Sequence, residues 1–245
     1  MSVTASLLGK VKEAAHLFGN REFFQIATRC CDHCLPSGLA LLGKSHLMVL
    51  RRDHPVDVCD CGDFVVRRGS IDDLPCIVGC SDEPGSEGTE AFYRALLADG
   101  RLCYLVQEDV RVVGYCWVFF DKYTLTYDGY KTSRIHLELD RNAAIVGNVF
   151  VAEDYRRRGL YTRMLHALIN DLHASCGVAD FLVAVKANNE VSVAAHKRRG
   201  FVTFCSIYYC AIHRARFVVA VPRKGRPRVS IGRQTGAIDC HSLYC

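Results

Sequence analysis

Nowhere in this chain does an uninterrupted apolar run approach the roughly 20 residues that a membrane-spanning helix needs, although half of its residues are hydrophobic. A membrane span is therefore not expected. The first 18 residues lack the basic start and apolar block of a secretory leader. Leu7, Val11, Ala14, Ala15 and Phe18 recur there at helical spacing, with Lys10, Lys12 and Glu13 between them, as on an amphipathic helix packed on the protein. With no leader visible, a cytoplasmic protein with reduced thiols is expected. No internal repeat is present. Acidic residues are nearly missing after Pro222, where Arg223, Lys224, Arg226, Arg228 and Arg233 stand against a single acid, Asp239. Residues 221–245 thus read as a disordered basic tail suited to an acidic partner. That tail holds most of the formal net charge of +5. The rest is close to neutral and offers no ground for nucleic-acid binding by the core.

Cysteine, by contrast, is plentiful at 14 of 245 residues. Cys103, Cys116, Cys176, Cys205 and Cys210 sit singly in apolar runs and read as core thiols. Cys30, Cys31, Cys34, Cys59 and Cys61 form a separate group with His33 beside them. Cys31-x-x-Cys34 has a zinc-knuckle spacing, while Cys59-x-Cys61 is one residue short of the usual second pair. No metal is expected, and a zinc-stabilised interaction region is the rival reading.

The chemistry is concentrated in residues 149–159, V-F-V-A-E-D-Y-R-R-R-G. An apolar strand (Ala143 to Val146, then Val149 to Val151) stops at an acidic turn, and Arg156, Arg157, Arg158 and Gly159 follow. Leu160, Met164, Leu165, Leu168, Ile169 and Leu172 then mark one face of a helix, with Gly177 as its C-terminal cap. A strand leading into a cationic turn and a helix N-terminus is a geometry that captures phosphate. The first-turn amides lack partners, and the helix dipole favours negative charge there. Downstream, residues 181–185 read as a strand, and residues 191–199 as a short helix ending at Gly200. Upstream, residues 63–77 read as a strand and a helix, with Ser70 as cap and Asp72 and Asp73 in the first turn. Residues 102–107 and 111–120 read as a hairpin turning at Glu108 and Asp109. Residues 121–139, with Tyr123, Tyr127 and Tyr130, form either a substrate wall or an exposed hairpin. Residues 1–62 read as two helices (2–18 and 21–31) and a strand (46–51), with a break at Pro36, Ser37 and Gly38.

These segments resemble two motifs of the GNAT superfamily of acyl-coenzyme A dependent N-acyltransferases. The pattern Q/R-x-x-G-x-G/A is met by Arg156 and Gly159, with Tyr161 in place of its last small residue. The pattern N-x-x-A/S-x-x-x-Y-x-x-x-G-F is met by Asn189, Ser192, Gly200 and Phe201, with His196 in place of the tyrosine. The separation leaves room for one helix and one strand, as that fold requires. The resemblance implies a mixed α/β core over residues 63–220. Its central sheet would be mostly antiparallel with a splayed parallel pair and flanking helices, preceded by a helical extension (1–62) and followed by the tail (221–245).

The resemblance also implies the reaction, transfer of an acetyl group from acetyl-coenzyme A to a primary amine of a small molecule or peptide. Transfer of longer acyl groups from coenzyme A or an acyl carrier protein is an alternative, as is a non-catalytic coenzyme A-binding module. In this family the diphosphate would be held by Arg156, Arg157, Arg158, Gly159, Leu160, Tyr161 and Thr162. The pantetheine arm would be held by Val149, Val151 and Asn189, and the carbonyl oxygen polarised by the backbone N–H of Val151. His196 would be the proton donor to the leaving thiolate, since imidazole titrates near neutral pH. Glu138, on one strand face with His136 and Asp140, is the candidate base, with a solvated strand edge as the plainer reading.

Overall fold

A computed structural model describes residues 40–51, 63–80, 87–126, 134–212, 215–223, 228–232 and 237–240. The helices expected over 2–18 and 21–31 and the group Cys30, Cys31, Cys34, Cys59 and Cys61 lie outside these residues. So do Tyr127 and Tyr130.

Apolar residues run almost without interruption along the central strands, as over 102–106 and 112–119, and the chain uses them to build one large sheet buried on both faces. The first strand, β1 (Ala40–Arg51), is followed by β2 (Phe64–Arg68), then helices α1 (Leu74–Cys80) and α2 (Glu87–Ala98). The hairpin β3 (Leu102–Glu108) and β4 (Arg111–Phe119) comes next, turning at Asp109 with φ +52°. After β5 (Lys122–Thr126) and β6 (Arg134–Glu138), the chain returns through β7 (Ala143–Val151), α3 (Leu160–Cys176), β8 (Asp180–Lys186) and α4 (Glu190–Arg198). It continues with β9 (Val202–Ile212), β10 (Ala215–Pro222), β11 (Arg228–Gly232) and β12 (Ala237–Asp239). Among the described residues the large sheet runs β11-β10-β9-β1-β8-β7-β4-β3-β2, and a small one runs β12-β6-β5. Within the large sheet, every pairing is antiparallel except β7 with β8. This is the expected mixed α/β architecture.

One face of the large sheet, carrying Leu47, Val49, Leu105, Tyr115, Trp117 and Ile145, packs against α1, α2 and the small sheet through Leu74, Ile77, Tyr93, Leu125, Ile135 and Leu137. The other face, carrying Met48, Leu50, Val106, Cys116, Val146 and Val183, packs against Leu160, Met164, Leu165, Leu168 and Leu172 of α3, with Val193 of α4 beside them. Burying each such side chain contributes about 2 kcal/mol. Polar bonds also tie α3 to the sheet. Asp171 accepts from the Arg68 guanidinium at 2.5 and 2.9 Å and from the Tyr104 hydroxyl at 2.6 Å. At the start of α1, Asp73 accepts from the Ser70 N–H at 2.7 Å and from Arg67 at 2.5 and 2.9 Å.

Three expectations are corrected. The strand expected within an N-terminal extension is an interior strand of the sheet, lying between β8 and β9. Leu47 and Val49 on one side and Met48 and Leu50 on the other are apolar and buried, which suits a strand covered on both faces. The segment expected as a disordered tail contains two strands, with β11 pairing antiparallel to β10 and β12 pairing parallel to β6. Val229 and Ile231 alternate with Arg228 and Ser230, a strand period that the basic composition masks. Within 121–139, β5 and β6 pair antiparallel, as one reading held, but they are not an exposed pair: Leu125, Ile135 and Leu137 turn inward and are buried.

Candidate active site

The site begins where β7 leaves β8. The parallel pairing runs from Ala143–Asp180 to Val146–Val183 and stops there, while β7 continues to Val151 and β8 to Lys186. On its other edge β7 remains paired with β4 but carries a bulge. Tyr115 opposes Phe150 and Trp117 opposes Gly147, so Asn148 and Val149 together face the single residue Cys116. Asn148 has φ +47°, and Val149 is 42% exposed. Ala152 donates its N–H to the Val113 carbonyl on β4 at 2.9 Å. Antiparallel strands alternate their bonding edge residue by residue. The peptide groups of Val151, and of Val149 one alternation earlier, therefore point away from β4 into the gap beside β8.

The turn beyond Val151 is built tightly. Glu153–Tyr155 forms a single 3-10 turn; Arg157 then has φ +65° and Gly159 φ +74°. The first bond inside α3 runs from the Arg163 N–H to the Gly159 carbonyl at 3.1 Å. The N–H groups of Leu160, Tyr161 and Thr162 consequently have no carbonyl within the helix. Arg156 spans the turn, its Nε donating to the Val151 carbonyl at 3.0 Å, and Arg156, Arg157 and Arg158 are all exposed. Tyr155 braces the turn against the β3–β4 hairpin. Its hydroxyl donates to Glu108 at 2.6 Å, and the guanidinium groups of Arg158 and Arg111 lie 5.0 and 5.6 Å from its ring centre. The sequence marks Glu108 only as a turn residue and assigns Tyr155 no role; an aromatic residue between the acidic turn and the arginines is the signal that points to their contact.

Helix α4 closes the other side. Asn189 caps it, its Oδ1 accepting the Ser192 N–H at 3.0 Å, which leaves the Asn189 amide nitrogen to donate. The two residues that depart from the family motifs meet. Tyr161 Oη and His196 Nε2 are 2.8 Å apart, and His196 Nδ1 lies 2.7 Å from the Ser192 carbonyl. A carbonyl only accepts, so Nδ1 carries the proton; Nε2 is bare and accepts from the Tyr161 hydroxyl. Burial lowers the His196 pKa from its ordinary value, against the bond to Ser192, and the charge of Arg199 lowers it further. Burial raises the Tyr161 pKa. Arg199 also bonds the Thr162 hydroxyl, through Nε at 2.7 Å, so the start of α3 and the end of α4 are clasped twice.

The structure gathers Val149, Val151, the turn from Arg156 to Thr162, Asn189 and His196 around the gap between β7 and β8. It does not bring Glu138 there. Strand alternation turns Tyr123, Leu125, Ile135 and Leu137 toward the large sheet, and Glu138 is exposed on the opposite face of the small sheet.

A helix start with unpaired amides, just beyond the end of a parallel strand pair, is the arrangement expected around Gly159. The sequence signature of the Acetyltransferase (GNAT) family matches residues 73–201, more than half of the chain, and the chain belongs to that family. A functionally unknown conserved protein from Staphylococcus epidermidis is similar in fold, with a TM-score of 0.51 at 9% identity over 70% of this chain and 62% of that one. A Drosophila protein gives 0.47 at 16% identity over 79% and 58%. The ribosomal-protein-S18-alanine N-acetyltransferase of Escherichia coli gives 0.42 at 20% identity over 57% and 77%. The chain spans about three fifths of the length of the first two. Likenesses at such identities speak to the fold alone. None of the curated proteins matches the chain. Among the described residues, no helix is long and apolar enough to cross a membrane.

Proposed function

We propose that the chain transfers an acetyl group from acetyl-coenzyme A to the primary amine of a small-molecule or peptide acceptor by direct attack on the thioester. The observation that carries this reading is that β7 runs on to Val151 after its pairing with β8 stops at Val146, and leads through the turn into the helix start at Gly159. The unpaired amides, the exposed Arg157 and Arg158, and the missing Cβ at Gly159 suit a diphosphate.

Bound acetyl-coenzyme A supplies an activated acyl group and a thiol leaving group. The N–H groups from Arg157 to Thr162 hold its diphosphate, and Arg157 and Arg158 add positive potential. Val149 and Val151 bond the arm, and the Val151 N–H donates where the carbonyl oxygen gains charge. The Asn189 amide donates from the opposite wall.

His196 is a positioning residue in this reading and gives up the expected role of proton donor. It is neutral, both ring nitrogens are engaged, and it holds Tyr161 away from the diphosphate. The phenol that the motif carries at position 196 is thus present, but presented from α3.

Calorimetric titration with coenzyme A, followed by thiol release from acetyl-coenzyme A with a panel of amines, tests this reading. Binding together with amine-dependent release supports it. Binding without release with any amine points to a non-catalytic module, and the absence of binding heat overturns the site.

A further inference from the structure

Gly147, the residue at which β7 parts from β8, has its side-chain space filled by another residue. A Cβ built there would lie 2.8 Å from the Tyr123 hydroxyl oxygen and 2.9 and 3.0 Å from the adjacent ring carbons Cε2 and Cζ. These separations are well inside van der Waals contact, so only glycine fits. Strand β5 delivers Tyr123 to this point on the face opposite α3, and its ring meets Phe119 edge to face with centroids 4.8 Å apart. The Tyr123 hydroxyl has no hydrogen bond among the described residues, and burial alone pushes its pKa up to about 12. Trp117, which faces Gly147 across the β4–β7 pair, is fully buried with its indole N–H also unpartnered. A buried polar group left without a partner costs about 1–3 kcal/mol. The Trp117 indole N–H is such a group. The half-buried Tyr123 hydroxyl, unbonded among the described residues but not sealed from solvent, lies over the vacant Cβ position where the parallel pair opens, and packing alone does not account for the two together.

We propose that the Tyr123 hydroxyl receives the acceptor amine: its oxygen accepts one N–H of the attacking nitrogen and aims the nitrogen lone pair at the thioester. This assignment rests on the acetyl-transfer reading above. As the nitrogen–carbon bond forms, the carbon–sulfur bond breaks, and its electron pair leaves with the sulfur. The surplus amine proton passes to water. Tyr123 keeps its own proton at neutral pH and acts by orientation. The acceptor reaches the gap on the face covered by the small sheet, and the diphosphate lies at the start of α3, which packs on the other face.

Tyr123→Phe tests the assignment through three readouts. The unfolding midpoint is expected to hold, because the hydroxyl removed makes no hydrogen bond among the described residues. The calorimetric Kd for coenzyme A is expected to stay within about twofold, since no donor contact is touched. The kcat/KM for the amine, and the rate of uncoupled acetyl-coenzyme A hydrolysis by water, are expected to fall about tenfold, the worth of one hydrogen bond. Unchanged rates overturn the assignment and leave acetyl transfer standing. A wild-type protein that binds coenzyme A yet releases no thiol overturns both. Gly147→Ala, which drives the phenol from its seat, is expected to lower the same rates, and full turnover in that variant also overturns the assignment.

Discussion

His196 is a neutral imidazole shut between a carbonyl and a phenol, and that fixes how it responds to acid. In the unfolded chain it titrates at its ordinary value of 6.5, whereas in the fold burial holds it lower. As pH falls below 6.5, the unfolded chain takes up a proton that the folded chain does not. The stability tied to this group is therefore present above that pH and lost below it, at up to about 1.4 kcal/mol per pH unit. His196→Ala leaves the Tyr161 hydroxyl buried without its acceptor. It is expected to cost about 1–3 kcal/mol at pH 7.5. Urea unfolding between pH 5.5 and 7.5 is expected to show this gap narrowing as the pH falls. Parallel curves for variant and wild type would remove the buried-imidazole account. The importance of position 196 is legible in the motif spacing. Its partnership with Tyr161 is not, because the two residues stand 35 apart in the chain and meet only when α3 and α4 are packed.

The strand, turn and helix from Ala143 to Cys176 form the element on which the site depends, and local chemistry accounts for nearly all of it. Gly159 adopts a left-handed conformation that a side chain resists by about 1–2 kcal/mol. Gly159→Val is expected to lose that much stability and to weaken coenzyme A binding at least tenfold, measured by denaturation and by calorimetry. Undiminished affinity would separate the turn from the diphosphate. The caps at Ser70 and Gly177, the β3–β4 hairpin and the apolar stripe of α3 are legible for the same reason: each is decided within a few residues of chain. The brace from Tyr155 to Glu108 is not, since it joins a turn to a hairpin 47 residues earlier.

At the scale of the whole molecule, β1 changes what counts as the domain. It pairs with β8 on one side and β9 on the other, and Leu47, Met48 and Leu50 are at most 1% exposed. Without it, two strands of the sheet lose their shared neighbour, and both apolar layers lose part of their contents. A fragment of residues 63–220 is therefore expected to be unfolded or aggregated, as circular dichroism and gel filtration would reveal. A cooperative, coenzyme A-binding fragment would show that β1 is dispensable.

Periodicity, caps and two short motifs were enough to specify β2, α1, the β3–β4 hairpin, the run from β7 to α4, the cationic turn, and the family to which they belong. All of these are set by forces that act along the chain over one or two turns of helix or a single hairpin. The insertion of β1, the meeting of Tyr161 with His196, the outward face given to Glu138, and the seating of Tyr123 over Gly147 were decided by tertiary structure. Each depends on which strands become neighbours and on the parity of their alternation. A one-residue shift in either would carry the same side chains to the other face of the sheet.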